Sequence, residues 1–304
     1  MSVLTTATNP KLLWPGLKDI WGDYFYNRYP EEFSNILDVS NSTQNYEEYQ
    51  GETGFGLVPE KAQGGAILMD TVLAGYNKRF THTAYAMMWA ATKEEISDNL
   101  YKKVGTARSI GFARSMRLTV ETVDANHLNR AFNSSYTGAD GKELCATDHP
   151  NVNGGTWQNE LTTAADLSEA SLNDLGVLIM NAKDDRGLQL QLKPQKLIVS
   201  NNDYYEALRV TKSALQPGTA NNDVNTIIAS AMFPKGVLAW SFLTDTDAFF
   251  IKTDAPFGLM HLWRDMPEYE TSNDFNTKNI LHSGYMRFSS GWVDPRCIYG
   301  SPGV

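Results

Sequence analysis

Cysteine is nearly absent from this chain: its 304 residues hold two, Cys145 and Cys297. That is too few for a disulfide framework, so two unpaired, reduced thiols are expected. A basic excess is missing as well. Lys and Arg number 26 against 35 Asp and Glu, a formal net charge of −9. This argues against a sequence reader of nucleic acid, which carries a basic domain or stripe. It leaves room for a container, because a shell filled by an external motor needs closure rather than affinity. No apolar run nears the roughly 18 residues that span a bilayer. Met1–Pro10 lacks the basic start and apolar centre of a secretory signal. A soluble product of the cytoplasm with no membrane partner is therefore expected, and the sequons at Asn41 and Asn133 are then accidents of composition.

Short catalytic signatures are also missing. There is no GxSxG elbow, no GxxxxGK[ST] phosphate loop, no HExxH helix and no GxGxxG after a strand. Internal repeats are lacking too, which disfavours solenoids and propellers. No enzyme activity, cofactor or metal is expected. What is present, 42% hydrophobic and 11% aromatic residues, describes an ordered globular protein with room for one large or two modest domains.

The prolines organise the chain, leaving a long gap between Pro59 and Pro150. Inside that gap Thr92-Lys-Glu-Glu95 reads as a capping box. After it Ile96, Leu100, Val104, Ala107, Gly111, Leu118 and Ala125 keep helical spacing on one face. A helix from about Lys93 to about Phe132 would be roughly 60 Å long, a strut, with a bend near Gly105, Gly111 or Arg114. The stretch from about Tyr46 to Trp89 is punctuated by glycines, and Arg79–Tyr85 has strand-like composition. It reads as an extended hairpin with its turn at Glu60–Gly65 and little core of its own. Leu12–Tyr29 is an aromatic amphipathic piece that suits an arm on a neighbouring surface or a helix docked on its own domain equally well. Residues 133–160 are mostly turn chemistry. Beyond them Ser168–Ala182 and Asp203–Ser213 read as helices. Lys196–Ser200, Gly236–Trp240, Asp247–Lys252 and much of the chain from Leu259 to Gly300 read as strands, with a turn-rich loop at Gln216–Asp223. The body is mixed α+β.

Three groupings could carry chemistry. Cys145, Asp148 and His149 have the residue types of a metal or nucleophile site but no second Cys/His pair nearby, and a loop with a turn at His149-Pro150 explains them better. His261, Asp265, Glu268 and Glu270 suit a solvated or inter-subunit edge. Lys103, Arg114 and Arg117 fall within about 60° on the expected helix, where they could lie near enclosed DNA or pair with acidic neighbours. His82 and His127 show no partner in the sequence.

The order of these elements, with Thr92–Glu95, Thr147-Asp-His-Pro150, Gly154-Gly155, Lys193–Val199 and Asp294–Gly300, resembles the major capsid proteins of tailed bacteriophages. The similarity extends to Mu-like major head subunits and to the Hong Kong 97-type fold. The resemblance implies an N-arm (1–45), an E-loop (46–91), a P-domain with its spine helix (92–165), an A-domain (166–255) and return strands completing the P-domain (256–304). It implies pentamers and hexamers of the chain itself, closing an icosahedral head around double-stranded DNA inside a bacterial host. With no long charged coiled segment before the N-arm, it implies a separate scaffolding protein and a portal, and leaves room for a decoration protein. Phe55, Lys61, Lys78, Phe80, Tyr85 and Trp89 are the expected inter-subunit contacts. The competing readings are an encapsulin-like nanocompartment shell, a metal-dependent hydrolase using Cys145, Asp148 and His149, and a monomeric binding protein.

Overall fold

The computed structural model describes residues 16–98, 101–215 and 224–304. Leu100 and the Gln216–Asp223 loop lie outside the described residues, as does the start of the N-terminal piece. The strands in chain order are β1 (Asp38–Asn41), β2 (Tyr46–Glu52), β3 (Ala74–Thr81), β4 (Thr83–Ala91), β5 (His149–Pro150), β6 (Thr156–Trp157), β7 (Pro194–Val199), β8 (Val237–Ala239), β9 (Phe249–Thr253), β10 (Leu259–Asn273), β11 (Ile280–Trp292) and β12 (Ile298–Ser301). The helices are α1 (Leu17–Asp23), α2 (Lys93–Ser97), α3 (Tyr101–Asn129), α4 (Glu169–Met180), α5 (Tyr204–Lys212) and α6 (Thr226–Ala229). They divide into two compact units. One holds the described residues up to Glu31 with His82–Glu121 and Trp263–Phe288; the other holds Glu32–Thr81, Thr122–Leu262 and Ser289–Val304.

In the first unit β11 lies between β10 and β4. β4 pairs antiparallel with β11 from Thr83↔Phe288 to Ala91↔Ile280 without a register shift. Along β10 Pro267 and Tyr269 are buried while Glu268 and Glu270 are exposed, the period of two that a half-covered sheet imposes. Helix α3 presses on β11 at Gly284, where a Cβ would stand 2.6 Å from Met116 Sδ and from Phe112 Cζ. Glycine is what permits that approach.

The capping box forms as the sequence predicts. Thr92 Oγ1 accepts from Glu95 N–H, and Glu95 Oε2 accepts from Thr92 N–H, each at 3.2 Å. Such a cap stabilises a helix by about 1 kcal/mol. The strut, however, is two helices. Asp98 leaves helical geometry at φ −83°, ψ 9° after α2, and α3 is a separate helix of 29 residues, about 43 Å long, that continues through Gly105, Gly111 and Arg114. The expected apolar stripe is also displaced. Of its members Ala125 is buried but Ala107, Gly111 and Leu118 are exposed, whereas Ser109, Phe112, Ala113, Met116, Arg117 and Val120 are buried. Seven-residue spacing picked out small residues, and the aromatic and sulfur side chains lie on another face.

The arm question also resolves for the described residues. Trp21 stacks on Phe25 at 5.3 Å and meets Tyr269 at 5.6 Å, and Tyr26 Oη donates to Pro267 O at 3.1 Å. From Gly16 on, the piece docks on its own unit.

In the second unit a four-stranded sheet runs β12-β9-β7-β8. β7 is parallel to β8 and antiparallel to β9. Leu172, Leu175 and Ile179 of α4, Ala207 and Val210 of α5 and Ile227 of α6 share one core with Leu197, Val199, Phe249, Ile251 and Tyr299 of the sheet. Buried strands read as near-continuous apolar runs, which is why Lys196–Ser200 was legible. The two cysteines are free and buried.

Candidate assembly surfaces

The long hairpin is shorter than the sequence suggests. β2 and β3 pair antiparallel from Tyr46↔Thr81 to Glu52↔Ala74, with a register shift between Gln50 and Glu52. The ladder ends at buried His82, and the apolar run Thr83–Ala91 joins β11 instead. At the shift Gly51 and Gly75 pass backbone to backbone. A Cβ on Gly75 would stand 2.9 Å from Gly51 C and O, so the crossing requires glycine. Beyond it residues 54–73 form no strand, and the turn falls within Glu60–Gly65, where Gly65 N–H donates to Ala62 O at 3.0 Å.

This loop inverts the usual hydrophobic rule. Phe55, Leu57, Val58, Ile67, Leu68 and Met69 are between 66% and 95% exposed. Exposed apolar side chains gathered on one loop are what an interaction surface displays. One side chain organises the loop. The Asp70 carboxylate accepts from Gly56 N–H and Thr71 N–H, each at 2.8 Å, and from Arg186 Nη1 at 2.7 Å. The Gly56 N–H, then the Arg186 guanidinium, hold this carboxyl below the usual carboxylate range.

The expected contact residues divide. Phe55 and Lys61 project into solvent. Phe80 is buried, against Tyr49 at 5.7 Å and beside Gly291. The Lys78 ammonium sits 5.2 Å over the Trp292 ring, and desolvation lowers its pKa. Tyr85 stacks on Phe288 at 4.8 Å and Trp89 on His282 at 4.2 Å. These last four spend much of their surface inside the subunit.

Within the turn-rich segment 144–160, Leu144, Cys145, Ala146, His149 and Asn159 are instead buried. The Asn159 side chain is fully enclosed. Its amide nitrogen, with two hydrogens to donate, lies 2.7–3.0 Å from Leu144 O, Pro295 O and Ile298 O, and its oxygen accepts from Ala146 N–H at 2.8 Å. His149 Nε2 is 3.0 Å from that same oxygen, and Nδ1 is 2.6 Å from Asp140 Oδ2. The imidazole lies on Trp157 at 4.6 Å. Each ring nitrogen of His149 thus already has a side-chain partner within the subunit. Asp148 turns to Lys142 at 2.5 Å. Burial raises the Cys145 thiol well above its ordinary pKa, the reverse of what a nucleophile needs. Among the described residues no three His, Cys, Asp or Glu side chains converge as metal ligands.

The basic trio on α3 separates as well. Lys103 and Arg114 are exposed. Arg117 is 4% exposed, with Nη1 on Glu31 Oε2 at 2.9 Å, Nη2 donating to Phe25 O at 2.8 Å and the guanidinium 4.3 Å over the Phe25 ring. A guanidinium so enclosed serves the subunit and offers nothing to a polymer. His127 finds Ser290 Oγ at 2.9 Å. His261 pairs with Asp124 at 2.8 Å, both fully buried, while Glu268 and Glu270 point outward from β10. Sequence reasoning missed Asn159, Asp124 and the Asp70–Arg186 pair. Their partners lie from 10 to 139 residues away, and no local motif signals them.

An apolar loop left in solvent on an ordered subunit suits a surface that another molecule covers. Residues 76–301 match the phage capsid protein family, and the chain belongs to that family. Its fold is similar to that of the virus-like particle from Pyrococcus furiosus, at 12% identity over 94% of this chain and 97% of that one, with a TM-score of 0.54. It is similar to a chain of Mycobacterium phage Patience at 9% identity, 88% and 82% coverage and a TM-score of 0.55. It is also similar to the capsid of the native GTA particle at 13% identity, 98% coverage of both chains and a TM-score of 0.53. A search of curated proteins gives no match. The fold is the Hong Kong 97-like capsid fold, and the chain is a phage capsid protein.

Proposed function

We propose that this chain assembles through its 53–73 loop into the pentamers and hexamers of a phage head that encloses double-stranded DNA without reading its sequence. The observation that carries this reading is the loop's row of exposed apolar side chains, Phe55 to Met69. An isolated subunit leaves them in water at about 25 cal/mol per Å² of apolar surface. A closed shell lets the same loop lie on another copy, and many modest contacts add through effective concentration. In this reading residues 46–91 hold the E-loop, α3 is the spine of the P-domain, residues 166–255 form the A-domain, and the arm, 1–45, and the return, 256–304, complete the subunit. Exposed Lys103 and Arg114 are the remaining candidates for proximity to enclosed DNA. A separate scaffolding protein and a portal would act during assembly in the host cytoplasm.

A nanocompartment shell would share this fold, and the phage capsid family match favours the head. Expressing the chain alone and with a candidate scaffold, then measuring light scattering and negative-stain images, tests the reading. Rings or shells that disappear when residues 51–76 are deleted, while the body stays folded, are the expected result. A strictly monomeric protein in both conditions contradicts it.

A further inference from the structure

We propose that Asp70 and Arg186 form a latch that fixes where the 53–73 loop projects from the body, with the Gly51/Gly75 crossing as its hinge. The latch rests on the reading of that loop as the assembly surface only for its consequence, not for its existence. The regular ladder between the arms stops near the crossing. One last rung joins Thr53 N–H to Leu73 O and Leu73 N–H to Thr53 Oγ1, each at 3.1 Å. A two-stranded hairpin with a bulge and two apposed glycines has little stiffness of its own, so its direction must be set from outside.

The outside contact is concentrated in one ion pair. Asp70 bridges the two arms by accepting from Gly56 N–H on one and Thr71 N–H on the other. Arg186 then grips both that carboxylate, through Nη1 at 2.7 Å, and Thr71 O, through Nη2. The arginine is itself held. It sits in a turn where Asp184 Oδ1 accepts from Arg186 N–H at 2.9 Å and from Leu188 N–H at 2.7 Å, and where Gly187 takes φ +82°. Its side chain is 15% exposed against 46% for Asp70, so the anchor belongs to the body and the movable half to the loop. An exposed ion pair alone would do little. Here a planar guanidinium meets a carboxylate and a carbonyl while that carboxylate takes two backbone N–H groups, which makes the contact directional.

Limited tryptic cleavage at exposed Lys61 of the unassembled full chain reads the latch without reference to shells. Asp70→Asn loses the charge and keeps only one of the two oxygens that Gly56 and Thr71 use; Arg186→Ala removes the grip entirely. Both should be cut roughly tenfold faster than wild type because local opening becomes more frequent, with unchanged thermal midpoints. Lys183→Ala, in the same turn, should behave as wild type. Equal cleavage in wild type and both latch variants would overturn the proposal, as would equal acceleration by Lys183→Ala. Imaging the same variants under assembly conditions reads the consequence: misshapen or missing shells are expected. Faster cleavage with normal shells would uphold the latch and count against the loop as the assembly surface.

Discussion

Residues 53–73 and residues 144–160 are both irregular and glycine-punctuated, yet the first leaves Leu57, Val58 and Met69 in solvent while the second encloses Leu144, Cys145, Ala146, His149 and Asn159. Irregular backbone can be buried only if something replaces the ladder that a helix or sheet would supply. In the second segment the Asn159 side chain is that replacement, with donors and acceptors turned toward Leu144, Ala146, Pro295 and Ile298. In the first, Asp70 ties the two arms together and to Arg186 but draws no apolar side chain inward. Polar side chains thus decide which loop is enclosed and which stays in solvent, even though the apolar residues are what is buried or displayed.

The sharpest way to break this contrast is Asn159→Ala. It removes the amide that faces Leu144 O, Pro295 O and Ile298 O and the oxygen that takes Ala146 N–H, and buried groups left unpaired cost about 1–3 kcal/mol each before relaxation. A net loss of about 3–5 kcal/mol in urea unfolding is expected; a loss under about 1 kcal/mol would show that the segment is not stapled by this residue.

The capping box at Thr92 and the α4 and β7 segments were legible because their signals are local: a threonine with glutamate three residues on, a serine before a helical run, a continuous apolar strand. Asn159 was not, since its partners come from segments up to 139 residues away. The strut was overextended because Thr92–Phe132 has no proline to mark the break at Asp98. The contact candidates divided for a related reason. Phe55 and Phe80 are equivalent as residue types, and the approach of Gly291 and Tyr49 to the Phe80 ring separates an inward aromatic from an outward one. Arg117 could not be told from Lys103 and Arg114 without Glu31, which is 86 residues away.

Acid should act on the body by a smaller amount. Desolvation lowers the His127 pKa from 6.5 to about 4. Between these values the unfolded chain binds the proton and the folded chain does not. The contribution is therefore complete above about pH 6.5 and lost as pH falls toward 4, on the order of 3 kcal/mol at most. His127→Gln should flatten that part of the stability profile, read by denaturant unfolding at pH 7, 5.5 and 4.5. An unchanged slope would place the acid-sensitive group elsewhere. The Asp70 contacts follow the opposite ionisation. Their carboxyl is held below its ordinary range, so they persist across this window and weaken only as pH falls through the depressed value.

The most direct test makes the loop polar and leaves the fold alone. Replacing Leu57, Val58, Ile67, Leu68 and Met69 by serine removes only exposed apolar surface. The unfolding free energy of the subunit should move by no more than about 0.5 kcal/mol, while rings and shells disappear from scattering and negative-stain images. Shells that form normally from this variant would contradict the claim that the apolar loop is what joins one copy to the next.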